Sequence, residues 1–241
     1  MLIDDLLPAD VYAQLLETVP PPEGFEVADK VKANFDPAKG EAAPEQSRTT
    51  WMWFQNEIVS EVLTPLLLDR FRPSLASAYE ALFGAALAEE ALQLRHTTFR
   101  GRLMLRRPGY QLRPHRDMKN AALTGLVYFA KPGDSPEYGT DLFRIENDRE
   151  APFMKTFYPE SAGGRAELVR SVPFVGNSAL VFLNVPGMAH GAGIPREAPQ
   201  AVRLAYQFYI GARKADLATI VRRLPPERQA TWVRGVADAD Y

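Results

Sequence analysis

Residues 178–210 read SALVFLNVPGMAHGAGIPREAPQAVRLAYQFYI, and this stretch decides the fold. Two apolar, β-rich runs, SALVFLN (178–184) and VRLAYQFYI (202–210), flank a segment broken by glycine and proline. The same texture runs back to about residue 98: RGRLMLRR (100–107), ALTGLVYFA (122–130), TDLFRI (140–145) and AELVRSV (166–172), each bounded by turn residues. Short strands at this spacing predict a sandwich or barrel of jelly-roll type, that is, a double-stranded β-helix of cupin-like shape.

Outward from this core the texture turns helical. Pro8 to Val19 reads as a first helix, stopped by Pro20-Pro21-Pro22. Residues 33–50, ANFDPAKGEAAPEQSRTT, are polar, show no apolar period and read as a long mobile loop. Gln55 to Asp69 and Ser74 to Leu87 carry apolar residues at helical spacing and predict two helices packed outside the strands. Residues 213–241 return to helical patterning in ADLATIVRRL and ERQATWVRGV. The expected organisation is one domain over 1–241: a helical and loop region at 1–98, the β core at 99–212 and C-terminal helices at 213–241.

Composition excludes several classes. A chain of 241 residues can bury roughly 70% of the surface of its unfolded state. Its net charge of -2 supplies no global field for nucleic acid or an anionic membrane. No run approaches the ~18 apolar residues of a membrane span, and the N-terminus MLIDDLLPADVY is acidic where a signal peptide is basic. The absence of cysteine removes disulfides, thiolate zinc sites and thiol catalysis. A cytoplasmic enzyme with a small-molecule substrate is the expectation.

The chain has only three histidines, and two sit where a metal would suit them. His115-Arg116-Asp117 follows Gly109 and Pro114, and side chains at i and i+2 leave one face of an extended backbone. His190 lies just past SALVFLN, among glycines that permit a tight turn. Two imidazoles and one carboxylate on one face of an iron ion form the facial triad of non-haem Fe(II) oxygenases, with the remaining positions open. Arg203 opens the last strand, and a guanidinium there can bind the far carboxylate of a dicarboxylate bidentately. His96 has no such pattern around it and is expected to be structural.

In their order these residues resemble the Fe(II)- and 2-oxoglutarate-dependent dioxygenases, and within them the prolyl-4-hydroxylase-like group. Seven elements carry the resemblance over residues 100–211: Pro108-Gly109, His115-Arg116-Asp117, Thr124 to Tyr128, Gly139-Thr140-Asp141-Leu142, Pro173 to Gly176, His190 and Arg203. The resemblance implies His115, Asp117 and His190 as iron ligands. It implies Arg203 as partner of the distal carboxylate of 2-oxoglutarate, with Tyr128 and Thr124 beside it. The implied co-substrates are 2-oxoglutarate and dioxygen. The implied reaction couples decarboxylation to succinate and carbon dioxide with hydroxylation of a substrate C–H bond. Related halogenases lack the carboxylate ligand, so Asp117 speaks against halogenation. The chain departs from the pattern at Arg107, where the family often carries tyrosine, and in the long segments 147–170 and 190–203.

Other readings stand beside this one. Eight basic residues against one acidic residue between Ala91 and Lys119 are either a solvated strand face or a field that attracts an anionic substrate. Arg102, Arg106 and Arg116 are candidates for contact with that substrate, and Arg100 is expected to share a face with Arg102 and Arg106. Trp51 to Phe54 is either a core anchor or, through Trp53, a lid over the site. The segment 147–170, with Phe153, Phe157 and Tyr158, is a candidate border of the substrate pocket. The same three ligands also suit zinc in a hydrolase, and a cupin-like binding module needs no catalysis at all.

Overall fold

The computed structural model describes residues 1–149, 156–198, 201–230 and 232. In chain order the strands are β1 (Leu2–Ile3), β2 (Glu26–Asp29), β3 (Lys32–Phe35), β4 (His96–Arg106), β5 (Gln111–His115), β6 (Leu123–Tyr128), β7 (Thr140–Glu146), β8 (Arg165–Val172), β9 (Ser178–Leu183), β10 (Met188–Gly193) and β11 (Arg203–Ala212). The α-helices are α1 (Ala9–Glu17), α2 (Glu45–Trp53), α3 (Thr64–Phe83), α4 (Ala85–Gln93), α5 (Lys214–Val221) and α6 (Pro226–Gln229). One sheet runs β1-β9-β6-β11-β4-β3-β2 and the other β5-β10-β7-β8. From β4 onward the chain winds between them, with β4, β6, β9 and β11 in the larger and β5, β7, β8 and β10 in the smaller. All pairings are antiparallel. This is the double-stranded β-helix.

The strand period of two divides the larger sheet into two functional faces. On β11, Leu204, Tyr206, Phe208 and Ile210 belong to the main apolar core, which also takes Leu103 from β4 and Val127 from β6. The helices close this core from outside through Leu15, Trp51, Phe54, Leu67, Tyr79 and Phe83. The alternate residues Arg203, Ala205, Gln207 and Tyr209 face inward, where the two sheets enclose a cavity. Tertiary cover on both faces leaves every residue of β11 buried.

The N-terminal third departs from the sequence reading. Residues 33–50 are largely ordered: β3 extends the larger sheet at the edge of β4, and α2 starts after Pro44. A four-residue strand is too short to show a period, so its polar sequence resembles a loop. The expected pair of helices is instead one run from Glu45 to Phe83, with wide π turns over Phe54–Leu63. Hydroxyl donations from Ser60 to the Gln55 carbonyl and from Thr64 to the Val59 carbonyl span these turns. Pro73 sits inside α3 without ending it, because the carbonyl deprived of its donor belongs to exposed Asp69. The chain breaks at Gly84, whose φ of 83° suits glycine, before α4 begins. The C-terminal helical texture is seen in α5 and, for its second stretch, only as far as α6; beyond Gln229 only Ala230 and Trp232 lie within the described residues.

Trp51 is an anchor. It is fully buried, stacks on Tyr206 and meets Phe54 and Phe129 edge-on, and its indole donates to the Thr18 carbonyl. His96 is structural, stacked on Tyr79 and hydrogen-bonded to its hydroxyl, with Nδ1 toward the Leu94 carbonyl. No described helix is long and apolar enough to cross a membrane.

Candidate metal centre

Register brings the histidines together. His190 on β10 is the direct cross-strand partner of His115 on β5, and their ring centroids lie 4.1 Å apart. Asp117 follows two residues after β5, and candidate ligand atoms of His115, Asp117 and His190 all fall within 4.8 Å of one another. Nε2 of His115 is 3.9 Å from Asp117 Oδ1, and Nε2 of His190 is 3.6 Å from Oδ2. Adjacent ligands about 2.1 Å from one ion sit about 3 Å apart, so each imidazole-to-carboxylate distance exceeds that spacing by under about 1 Å. All three residues are buried.

The surroundings set these groups up as ligands. Burial holds both imidazoles below the usual histidine range, and His190, further opposed by neighbouring His115, is pushed down to about 3. Both are therefore neutral and keep a lone pair at neutral pH. His115 Nδ1 lies 3.0 Å from the Arg113 carbonyl and donates to it, which turns the Nε2 lone pair toward Asp117. The Asp117 carboxylate is held at both oxygens: the Thr124 hydroxyl donates to Oδ2 at 2.8 Å and the Tyr209 hydroxyl to Oδ1 at 3.2 Å. Burial raises the Tyr209 phenol, so it remains a donor. Phe182 closes against the His190 ring at 4.6 Å. Neutral imidazoles with a fixed carboxylate suit a divalent transition metal.

The cavity beside this cluster measures about 250 Å³. Its inner wall is built in rows across the larger sheet. Lys32, Arg106 and Arg203 are successive partners across β3, β4 and β11; Asn34, Met104, Ala205 and Tyr128 form the next row, and Arg102, Gln207 and Leu126 the third. Tyr209 and Thr124 form the last row, against Asp117.

At the far end Arg203 is buried, donates from Nη2 to Thr140 Oγ1 at 3.0 Å and lies over the Tyr128 ring. The Tyr128 hydroxyl donates to the same Thr140 oxygen at 2.7 Å. Arg203 Nε has no hydrogen-bond partner, and no carboxylate pairs with this guanidinium among the described residues. A buried cation with an unmet donor fits an anionic end group of a bound molecule.

Several sequence expectations change here. Thr124 is not beside Arg203: it lies three rows away on Asp117, and Thr140 from β7 stands by the arginine instead. Arg116 points away from the main cavity, pairing with Asp148 at 3.0 Å and lying over Phe157. Trp53 sits half-exposed on α2 and does not line the cavity. Arg100 is exposed and off the inward face, because a bulge with Arg100 at φ 55° shifts the pairing between Gln207 and Tyr209. Arg102 and Arg106 do line the cavity, as do Thr156 and Tyr158 of the long 147–170 segment; Phe153 falls outside the described residues. Lys32, Asn34, Thr140, Gln207 and Tyr209 also line the wall. Only register reveals them, although the alternation RLAYQFY contained the parity signal for the last two.

No family model matches the chain, and no curated protein matches it. Among solved structures, it is similar to a Pseudomonas putida prolyl-4-hydroxylase, at 17% identity over 88% of this chain and 92% of the other, with a TM-score of 0.41. It is also similar to HygX from Streptomyces hygroscopicus, solved with nickel, 2-oxoglutarate and hygromycin B, at 13% identity over 88% and 82% of the two chains and a TM-score of 0.45. A 2OG-Fe(II) oxygenase family oxidoreductase from Burkholderia pseudomallei covers 86% of this chain and 81% of its own, at 8% identity and a TM-score of 0.45. At these values the likeness concerns the general course of the chain, and no residue role is taken from it.

Proposed function

We propose that this chain is an Fe(II)- and 2-oxoglutarate-dependent dioxygenase that hydroxylates a C–H bond of a small anionic substrate, releasing succinate and carbon dioxide. One observation carries the reading: the neutral His115–His190 pair and the braced Asp117 share a cavity with the buried, unpaired Arg203. A structural metal site has no use for that arginine, and a zinc hydrolase would need a general base that the described residues of the cavity wall do not offer. Among the described residues, the only acidic side chain in the wall is Asp117 itself.

In this reading iron(II) supplies the dioxygen chemistry that couples oxidative decarboxylation of the 2-oxo acid to oxidation of the substrate. His115, Asp117 and His190 hold the ion. Thr124 and Tyr209 keep the carboxylate turned toward it. Arg203, with Thr140 and Tyr128, takes the distal carboxylate and fixes the direction of the co-substrate. Phe182 and Tyr158, packed near the imidazoles, restrict water there. The lining basic residues favour an anionic substrate.

The test is an anaerobic titration of metal-free protein with Fe(II) and then 2-oxoglutarate. The expected result is the weak visible charge-transfer band of a chelated 2-oxo acid, lost in His190→Ala. A flat spectrum from folded wild-type protein overturns the reading.

A further inference from the structure

We propose that Arg106 and Arg102, together with Asn34 and Lys32 from the β2–β3 hairpin, form the anchor for an anionic group of the primary substrate, separate from the co-substrate site at Arg203. The chemistry is that of a carboxylate or phosphate carried on a small molecule at a distance from the oxidised carbon. The inference rests on the oxygenase reading above and assigns its substrate site.

Arg106 is buried at 5% exposure, yet all its partners are neutral oxygens. Nη1 donates to the Ala33 and Leu105 carbonyls at 2.9 and 3.0 Å, and Nη2 to Asn34 Oδ1 at 3.0 Å. Its Nε has no partner. These bonds fix the guanidinium in place without neutralising it. A buried charge is costly unless a counter-charge meets it. Arg102 is half-buried, and its Nε and Nη2 both donate to Gln207 Oε1, again a neutral acceptor. Neither arginine has a carboxylate partner among the described residues.

Charge balance then separates the two sites. A divalent ion, a dianionic 2-oxo acid, Asp117 and Arg203 neutralise one another. Lys32 is met by Asp29 at 3.4 Å. Arg102 and Arg106 are left facing the cavity without a counter-charge, and Lys32 leans in beside them over the Tyr110 ring. Arg106 and Arg203 are direct cross-strand partners, so one guanidinium can hold each of two anions. The row order reaches from Arg102, one row from Tyr209 and Asp117, to Arg106, two rows further away. At about 3.3 Å per residue the four steps along β4 from Arg102 to Arg106 span about 13 Å. That is the length of a small metabolite, laid from the metal to its anchor. The hairpin is part of the site because Asn34 orients Arg106 and β3 supplies the Ala33 carbonyl.

The experiment is equilibrium dialysis of the nickel-loaded protein, in saturating 2-oxoglutarate, with inorganic phosphate and separately with acetate. One probe ion per chain is expected. Arg106→Gln and Arg102→Gln should each weaken it by about 10- to 100-fold, as for loss of a hydrogen bond to a charged group. Arg203→Gln should lose 2-oxoglutarate while still retaining the probe, with some change in its affinity because Arg203 and Arg106 are neighbours. Tighter phosphate marks a phosphorylated substrate and tighter acetate a carboxylate; either upholds the anchor. If Arg106→Gln fails to fold, half-buried Arg102→Gln carries the test. The proposal is overturned if wild-type protein retains neither probe, or if Arg203→Gln abolishes retention while the other two variants keep it. Should wild-type protein fail to bind 2-oxoglutarate, the oxygenase reading falls. Probe retention measured without it then still decides whether Arg102 and Arg106 hold an anion.

Discussion

Thr124→Val removes one hydroxyl at constant shape from a fully buried position on β6. The lost bond is the 2.8 Å donation to Asp117 Oδ2, a charge-assisted contact to a buried carboxylate. Such bonds contribute about 1.5–3 kcal/mol, equivalent to about 12- to 140-fold in an equilibrium constant. Without it the carboxylate is held only by Tyr209 at 3.2 Å and is free to turn toward that donor, away from the imidazoles. Divalent metal should therefore bind about 10- to 100-fold more weakly, the usual consequence of removing a group that orients a ligand. Tyr209→Phe should have the smaller effect, because its bond is longer. The assay is competition of Co(II) and anaerobic Fe(II) against a chromophoric chelator, with far-UV circular dichroism to establish folding. Wild-type affinity in folded Thr124→Val would refute the argument that this hydroxyl positions the ligand.

Arg203→Ala should raise the 2-oxoglutarate requirement steeply and leave metal affinity unchanged. A truncated buried charge partner removes about 2–5 kcal/mol, and a variant saturating at wild-type co-substrate would mean that another group holds the distal carboxylate. Burial lowers His96 from its ordinary value in the folded state, so its contribution to stability is present above about pH 6.5 and is lost as pH falls toward the folded value. Urea denaturation of the metal-free protein should thus show a steeper loss of stability below pH 6.5 than in His96→Gln; parallel curves would contradict this. A Cβ at Gly139 would lie 1.7 Å from the Val172 carbonyl, so Gly139→Ala must push β7 and β8 apart. That substitution should destabilise by about 1–3 kcal/mol or more, and an unchanged denaturation midpoint would show that the strands yield freely.

Much of the β core was legible because its strands alternate. In VRLAYQFYI the residues facing the helices and those facing the cavity follow one another at period two, and the observed β11 keeps that parity throughout. The His115-x-Asp117 spacing was readable for the same reason. Legibility failed where a local irregularity changed parity. The bulge at Arg100 took that residue off the face shared by Arg102 and Arg106. It failed again where tertiary cover overrode local texture: the polar stretch after Lys32 holds a strand only because β4 offers it an edge. The 20-residue helix α3 passes through Pro73 because the carbonyl left without a donor is on exposed Asp69, while Leu67, Leu75, Tyr79 and Phe83 pack on the core.

By itself the sequence determined the β class, the winding of short strands and the three residues able to hold a metal, because residue type and period are local properties of the chain. Only the tertiary structure decided which residues share a wall. Cross-strand register sets His190 against His115, pairs Arg203 with Arg106 and brings Lys32 and Asn34 into the cavity from a hairpin about 70 residues upstream in sequence of the strand it joins. Register depends on hydrogen bonding between distant segments, which no local pattern contains. For that reason the ligands and Arg203 could be named in advance, whereas the places of Lys32, Asn34 and Thr140 in the wall could not.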